Sequence, residues 1–250
     1  MSGAMKLSVY QQGMNLVELL VAMAIGLLVI LAVSSVFIST RSTNRGQEAV
    51  SRVQENSRYS FEALGRAARR AGFRHVPDSY YTDPATGFPA NGSVDGVSFA
   101  SGQYVGGTAA KFVIRYRGAS DGLSRDCTGA SVAGGTLVSE SWYVSGNNLV
   151  CKVNTNAAQT IIEGVENIRF EYGENTGGAA DSTRGVDAYR TTPADVTDWT
   201  NVSAVRTEIL LRSADNATTA AQAYTFNGTL ETPSDRRLRR VYTATFNIRN

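Results

Sequence analysis

The chain has 250 residues, 42% of them hydrophobic, with a net charge of +2 and two cysteines. So even a charge balance excludes a protein drawn to polyanions by its overall field. Two cysteines exclude a disulfide-dense scaffold, and a single histidine, His75, excludes a zinc site built on paired histidines.

The first element is announced by QQGMNLVELLVAMAIGLLVILAVSSVFIS, residues 11–39. From Leu16 to Ile38 it is apolar for about 23 residues, enough to cross a ~30 Å hydrocarbon layer with some tilt. Glu18 is the exception. An acid costs roughly 2.5–3.5 kcal/mol at the centre of an inserted helix and less near an end, so the segment inserts and the carboxylate needs a partner. A secretory signal would have a shorter apolar run followed by a small-x-small cleavage site. Here a helical pattern continues past the run, and the cuttable position lies before it, at Gly13–Met14. Cleavage there frees an amine on Met14, four residues before Glu18. The two charges attract strongly in a low dielectric, and pairing between neighbouring chains would fix their axial register. The alternative leaves Glu18 among the headgroups with no role. Ala22 and Gly26 follow Glu18 at i+4 and i+8, a small-residue face that permits close helix approach, although such residues are also common in membrane helices.

GMNLVELLVAMAIGLLVI resembles the class III signal of type IV pilins and pseudopilins. The resemblance implies that a prepilin peptidase cuts after Gly13 and methylates Met14. It also implies that Glu18, then fifth in the mature chain, serves subunit recruitment and packing. Met14 stands where phenylalanine is commonest in that class, and Ser35 where many major pilins carry a helix-breaking proline. Residues 1–13 thus read as a leader and 14–40 as a transmembrane assembly helix.

Residues 41–73 read as an amphipathic continuation of that helix. Val50, Val53, Phe61, Leu64, Ala68 and Ala71 recur three or four apart around one longer gap, which marks an apolar stripe. Polar Ser57 falls in the gap, where packing is expected to loosen. Gly72 caps the helix and Pro77 follows, so it should end near Ala71. Unbroken from Met14, it would span roughly 85 Å, with its first half in a bilayer or among other helices and its second half on its own head. That head, residues 74–250, has roughly 175 residues and can bury a core unaided. Its pattern is strands. KFVIRYR sets Phe112, Ile114 and Tyr116 against Lys111, Arg115 and Arg117, with Val113 on the polar side. NIRFEYG sets Ile168, Phe170 and Tyr172 against Arg169 and Glu171, and AVRTEILLRS and VYTATFNIRN behave alike. Period-two runs between Gly, Asn, Asp and Ser clusters indicate antiparallel sheet with one face covered, here by the helix stripe. The fold class is α+β: a type IV pilin-like helix packed on an antiparallel head.

A head exported across the membrane meets an oxidising compartment. SWYVSGNNLVCKV reads as a hairpin turning at residues 146–148, and the even cysteine count with a plausible closeness leads to the expectation of a Cys127–Cys151 disulfide. Such a closure contributes roughly 3 kcal/mol in the chain-entropy picture. A metal or catalytic thiol pair is the alternative, and it lacks clustered histidines or a further cysteine. Three C-terminal segments, TIIEGVENIRFEYGEN, VDAYRTTPADVTDWTNVSAVRTEILLRS and LRRVYTATFNIRN, look like the minor pilin PilW family, which is related to the J-type pseudopilin of type II secretion. That resemblance implies a low-abundance subunit of a priming complex with other minor pilins. The complex would start pilus polymerisation at the inner membrane and end at the fibre tip beneath an adhesin, above the major pilin.

Catalytic and cofactor patterns do not emerge. The glycines of GENTGGAADSTRG lack the spacing and lysine of a phosphate loop. Its acids, Glu174, Asp181 and Asp187, lack the dense alternation of a calcium loop. Arg236, Arg237, Arg239 and Arg240 could hold phosphates, but on a strand alternate residues point to opposite faces, so nucleic acid is not expected as a partner. Arg66, Arg69, Arg70 and Arg74 read as a solvated basic helix end that finds carbonyls and acids nearby. The leading expectation is therefore a non-enzymatic initiator of type IV pilus assembly, without cofactor, metal or small-molecule substrate. A J-type pseudopilin and a tip-exposed module binding DNA or a surface are the alternatives.

Overall fold

The computed structural model describes residue 13 and residues 15–75, 83–177 and 185–248. The chain divides into two compact units, Met1–Gln47 and Glu48–Asn250, and helix α1 (Leu16–Arg70) contributes to both.

In the first unit α1 is apolar and open. Large side chains from Leu16 to Ile38 stay exposed, with Leu16 at 73% and Ile38 at 68%. The helix is long and apolar enough to cross a membrane. Its hydroxyls bond inside the helix: Ser35 Oγ donates to the Ala32 carbonyl at 2.8 Å, and Thr40 Oγ1 to that of Val36 at 2.8 Å. Such back-bonding hides a polar group in an apolar setting, and α1 runs on through Ser35 without a break.

The second unit is built on the remainder of α1. Val53, Ser57, Ser60, Leu64, Ala67, Ala68 and Ala71 are buried, at spacings that keep them on one face. Ser57 does not loosen the packing as its polarity suggested, because its hydroxyl is spent on the Gln54 carbonyl at 2.8 Å and Ser60 does the same with Asn56 at 2.7 Å. Val50 lies off the face and is 38% exposed. After Arg70 the chain turns at Gly72, whose φ of +75° is cheap only for glycine. The Gly72 N–H donates to the Arg115 carbonyl at 2.8 Å.

Two hairpins and two sheets follow. The short helix α2 (Pro84–Gly87) precedes the hairpin of β1 (Asn91–Val94) and β2 (Val97–Phe99). Strands β3 (Val105–Thr108), β4 (Lys111–Arg117), β5 (Leu137–Ser145), β6 (Asn148–Val153) and β7 (Gln159–Glu163) form an antiparallel sheet in chain order. Gly146 and Asn147, with φ of +59° and +64°, close the β5–β6 hairpin, the backbone that a two-residue I′ turn demands. The second sheet is ordered β13 (Arg237–Asn247), β10 (Val202–Asn216), β8 (Val165–Glu174), β9 (Ala188–Arg190), again antiparallel. The hairpin of β11 (Tyr224–Phe226) and β12 (Thr229–Glu231) is separate.

α1 covers parts of both sheets. Phe61 and Gly65 meet Phe246 of β13, the two rings lying 6.1 Å apart, and Asn56 Nδ2 donates to the Glu163 carbonyl of β7 at 3.0 Å. The sheets join beneath the helix, where Phe112 and Phe170 stack at 5.6 Å and the Tyr172 hydroxyl donates to the Lys111 carbonyl at 2.9 Å. Burying a side chain such as Phe112 or Phe170 contributes about 1.5–3 kcal/mol.

The expectation of one covered face fails at β4. Val113, Arg115 and Arg117 are buried as deeply as the alternate set. Residues 87–99 lie over that second face, where Val94, Val97 and Phe99 pack on Val113. Arg115 Nη2 donates to the Pro89 carbonyl at 2.6 Å, and its guanidinium lies 5.0 Å from the Phe99 ring centre. Burial, with Arg117 beside it, lowers the Arg115 guanidinium to about 10. Arg117 donates to the Gly87 and Gly135 carbonyls at 2.6 and 2.5 Å. Strand alternation identified these arginines correctly as one set, but a local pattern carries no record of a distant segment folding over them.

Candidate assembly site

Gly13 is exposed, with open space where a side chain would project. Met14 lies outside the described residues. Glu18 sits in the first turn of α1 and is exposed, where its charge also complements the helix dipole. Ala22 and Gly26 are helical and so fall on the face below Glu18. A Cβ added at Gly26 would meet nothing within 4 Å. Among its described residues the first unit therefore presents one acid, a small-residue face and a long apolar surface.

The head contains a buried joint between α1 and β5. Glu140 of β5 is 0% exposed. Arg70, in the last turn of α1, reaches its two oxygens through Nη2 at 2.7 and 2.6 Å. The Tyr116 hydroxyl and the Cys127 N–H each donate to Glu140 Oε1 at 2.9 Å. Arg70 Nη1 donates to the Arg125 carbonyl at 2.5 Å, and the guanidinium stacks 4.5 Å from the centre of the Tyr116 ring. Burial raises the Glu140 carboxyl above its ordinary value, opposed by Arg70 and by the Tyr116 and Cys127 donors. Cys127 and Cys151 are joined in a disulfide, with Cα atoms 6.4 Å apart. Cys127, Glu140 and Cys151 form a cluster of metal-ligating types, but the sulfurs are bonded to each other and the carboxylate is held by three donors. The arrangement is a structural clasp.

The expectation that Arg70 finds solvent, carbonyls and acids near the helix end agrees with its contacts to the Arg125 carbonyl and Glu140, but the sequence pattern did not single out Glu140. A signal was present: in LVSESWYVS the acid is in phase with Val138 and Trp142, and an acid on the apolar side of a strand needs a buried partner.

The basic C-terminal run is split as strand geometry requires. Arg239 is buried against Glu166 at 2.7 Å and Asp235 at 2.5 Å, Arg237 donates to the Ser213 carbonyl at 3.2 Å, and Arg236 and Arg240 are exposed. Near the end of α1, Arg66 pairs with Glu62 at 3.4 Å. Of the loop acids considered for calcium, Asp181 lies outside the described residues. Glu174 is buried and holds Arg190 Nε at 2.9 Å and the Asp198 N–H at 2.8 Å, while Asp187 accepts from the Thr176 N–H at 2.7 Å. His75 Nδ1 lies 2.8 Å from Ser120 Oγ just beyond the helix.

A long apolar N-terminal helix thus leads into an α+β head of antiparallel sheets. Residues 135–250 match the family described as Type IV Pilus-assembly protein W. That span runs from just before β5 to the C-terminus, a little under half of the chain. Among solved structures, the chain is similar to a type IV-like pilin, TTHA1219, from Thermus thermophilus. The similarity has 15% identity over 78% of this chain and 96% of that one, with a TM-score of 0.47. No curated protein sequence matches the chain.

Proposed function

We propose that the protein is a minor pilin of a tip complex that initiates type IV pilus assembly. The observation that carries this reading is an apolar helix whose large side chains from Leu16 to Ile38 stay exposed, with Glu18 in its first turn, on a chain whose residues 135–250 match the family of Type IV Pilus-assembly protein W. A carboxylate on such a helix is stabilised best by an amine of another chain. On this reading a peptidase cuts between Gly13 and Met14, Met14 carries the methylated amine, and Glu18 meets the amine of a neighbour. The Ala22–Gly26 face lets that neighbour approach closely. Residues 14–40 anchor the chain in the inner membrane with the head in the periplasm, and assembly carries the head to the fibre tip. Other minor pilins, an adhesin and the major pilin are its partners, and its role is structural rather than catalytic.

The test is an in-frame deletion in a strain that cannot retract pili, scored by counting surface pili. A sharp fall is expected. Normal numbers would refute an initiating role and turn attention to protein secretion.

A further inference from the structure

The disulfide, the buried carboxylate and the end of α1 meet at one place, and the connection runs through a single loop. Between β4 and β5 the chain offers two groups to the clasp: the Arg125 carbonyl accepts from Arg70, and the Cys127 N–H donates to Glu140. The loop thus brackets the ion pair, touching its cation with an acceptor and its anion with a donor. Arg70 Nε is buried without an acceptor, so the guanidinium relies on Glu140 and Arg125 to offset its desolvation. What ties this stretch of the loop covalently to the sheet is the bond from Cys127 to Cys151 in β6, where Cys151 is 0% exposed and pairs with Trp142 of β5.

We propose that the Cys127–Cys151 bond is a redox latch on the helix: it holds the loop so that Glu140 and Arg125 together grip Arg70, and the last turn of α1 is locked onto the sheet only in the oxidised head. Closing the bond takes two electrons and two protons from the Cys127 and Cys151 thiols to the disulfide of an exchanging oxidant, which leaves as two thiols. A dithiol reductant reverses the step and becomes a cyclic disulfide itself. In the reduced head the loop is released from β6, the Cys127 N–H and the Arg125 carbonyl leave the ion pair together, and a half-solvated Arg70–Glu140 pair holds the helix weakly. A newly exported head would therefore present a loose helix end until oxidised. This inference does not depend on which assembly the protein joins.

The experiment uses the full chain in detergent micelles, oxidised or treated with dithiothreitol, and follows amide hydrogen exchange. On reduction, exchange at Ala67–Gly72 is expected to rise about tenfold, the weight of one charge-assisted hydrogen bond. In Arg70→Met the helix end is expected to exchange fast already. Reduction then adds almost nothing there, while it still speeds exchange in residues 118–135. Arg70→Met/Glu140→Gln, which leaves no buried charge to disturb folding, should behave the same way. Equal protection of Ala67–Gly72 in the oxidised and reduced wild type overturns the proposal. So does an effect of reduction on those amides that persists undiminished in both variants, since the disulfide would then act on the helix by a route other than Arg70.

Discussion

Gly107→Ala tests how the two sheets of the head are joined. Gly107 lies in β3 opposite Phe112 of β4, and an added Cβ would fall deep inside contact with both the Tyr172 hydroxyl and the Lys111 carbonyl. The carbonyl is backbone in a paired strand and cannot swing away, so the methyl must spread β3 from β4 or push Tyr172 off. Overpacking of this kind costs about 1–3 kcal/mol. Tyr172 is fully buried, and burial holds its phenol neutral, far above its usual range. Displacing it strands a hydroxyl that now donates to Lys111 at 2.9 Å and lies 3.2 Å from the Thr108 carbonyl, at a further cost of roughly 1–3 kcal/mol. The sum, about 4 kcal/mol, lowers the melting temperature of a head this size by about 10 °C. Thermal unfolding followed by near-ultraviolet circular dichroism measures it. Tyr172→Phe removes one of the two obstructing atoms, so Gly107→Ala should cost less in that background than in the wild type. A melting temperature within about 2 °C of wild type for the single variant would mean that the sheets are not locked through this contact.

Gly13→Val should leave the leader on the chain, seen as a larger mass by mass spectrometry of the membrane-extracted protein; normal maturation would count against cleavage at that glycine. Glu18→Ala should mature normally yet bring down far less of the other minor pilins on co-purification, and unchanged recovery would return Glu18 to an idle place among the headgroups. Asp235 is held down to about 2, against an ordinary 3.8, chiefly by its hydrogen bond from Arg239. A lowered carboxyl stabilises the fold above its unfolded value and stops doing so as pH falls through its folded value. Wild type should therefore lose its melting-temperature advantage over Asp235→Asn as pH drops from 3.8 through about 2. A constant difference across that window would show that the Arg239 contact adds nothing.

Sequence alone determined whatever depends on local periodicity and on the cost of burial. An apolar run of membrane length has one stable conformation in lipid, so the helix, its open surface and the acid near its start were legible, as was its end at Gly72. Period-two runs made the antiparallel strands legible, and the Gly146–Asn147 turn followed from its residues. Tertiary structure decided which distant segments lie on those elements. Only the folded chain shows residues 87–99 covering the second face of β4 and burying Arg115 and Arg117, or Ser57 and Ser60 inside the helix interface. Only the folded chain brings Arg70, Tyr116, Cys127 and Glu140 to one point. Alternation and helical spacing report which side of an element a residue occupies; what waits on that side is set by contacts between residues far apart in the chain, and no local pattern encodes them.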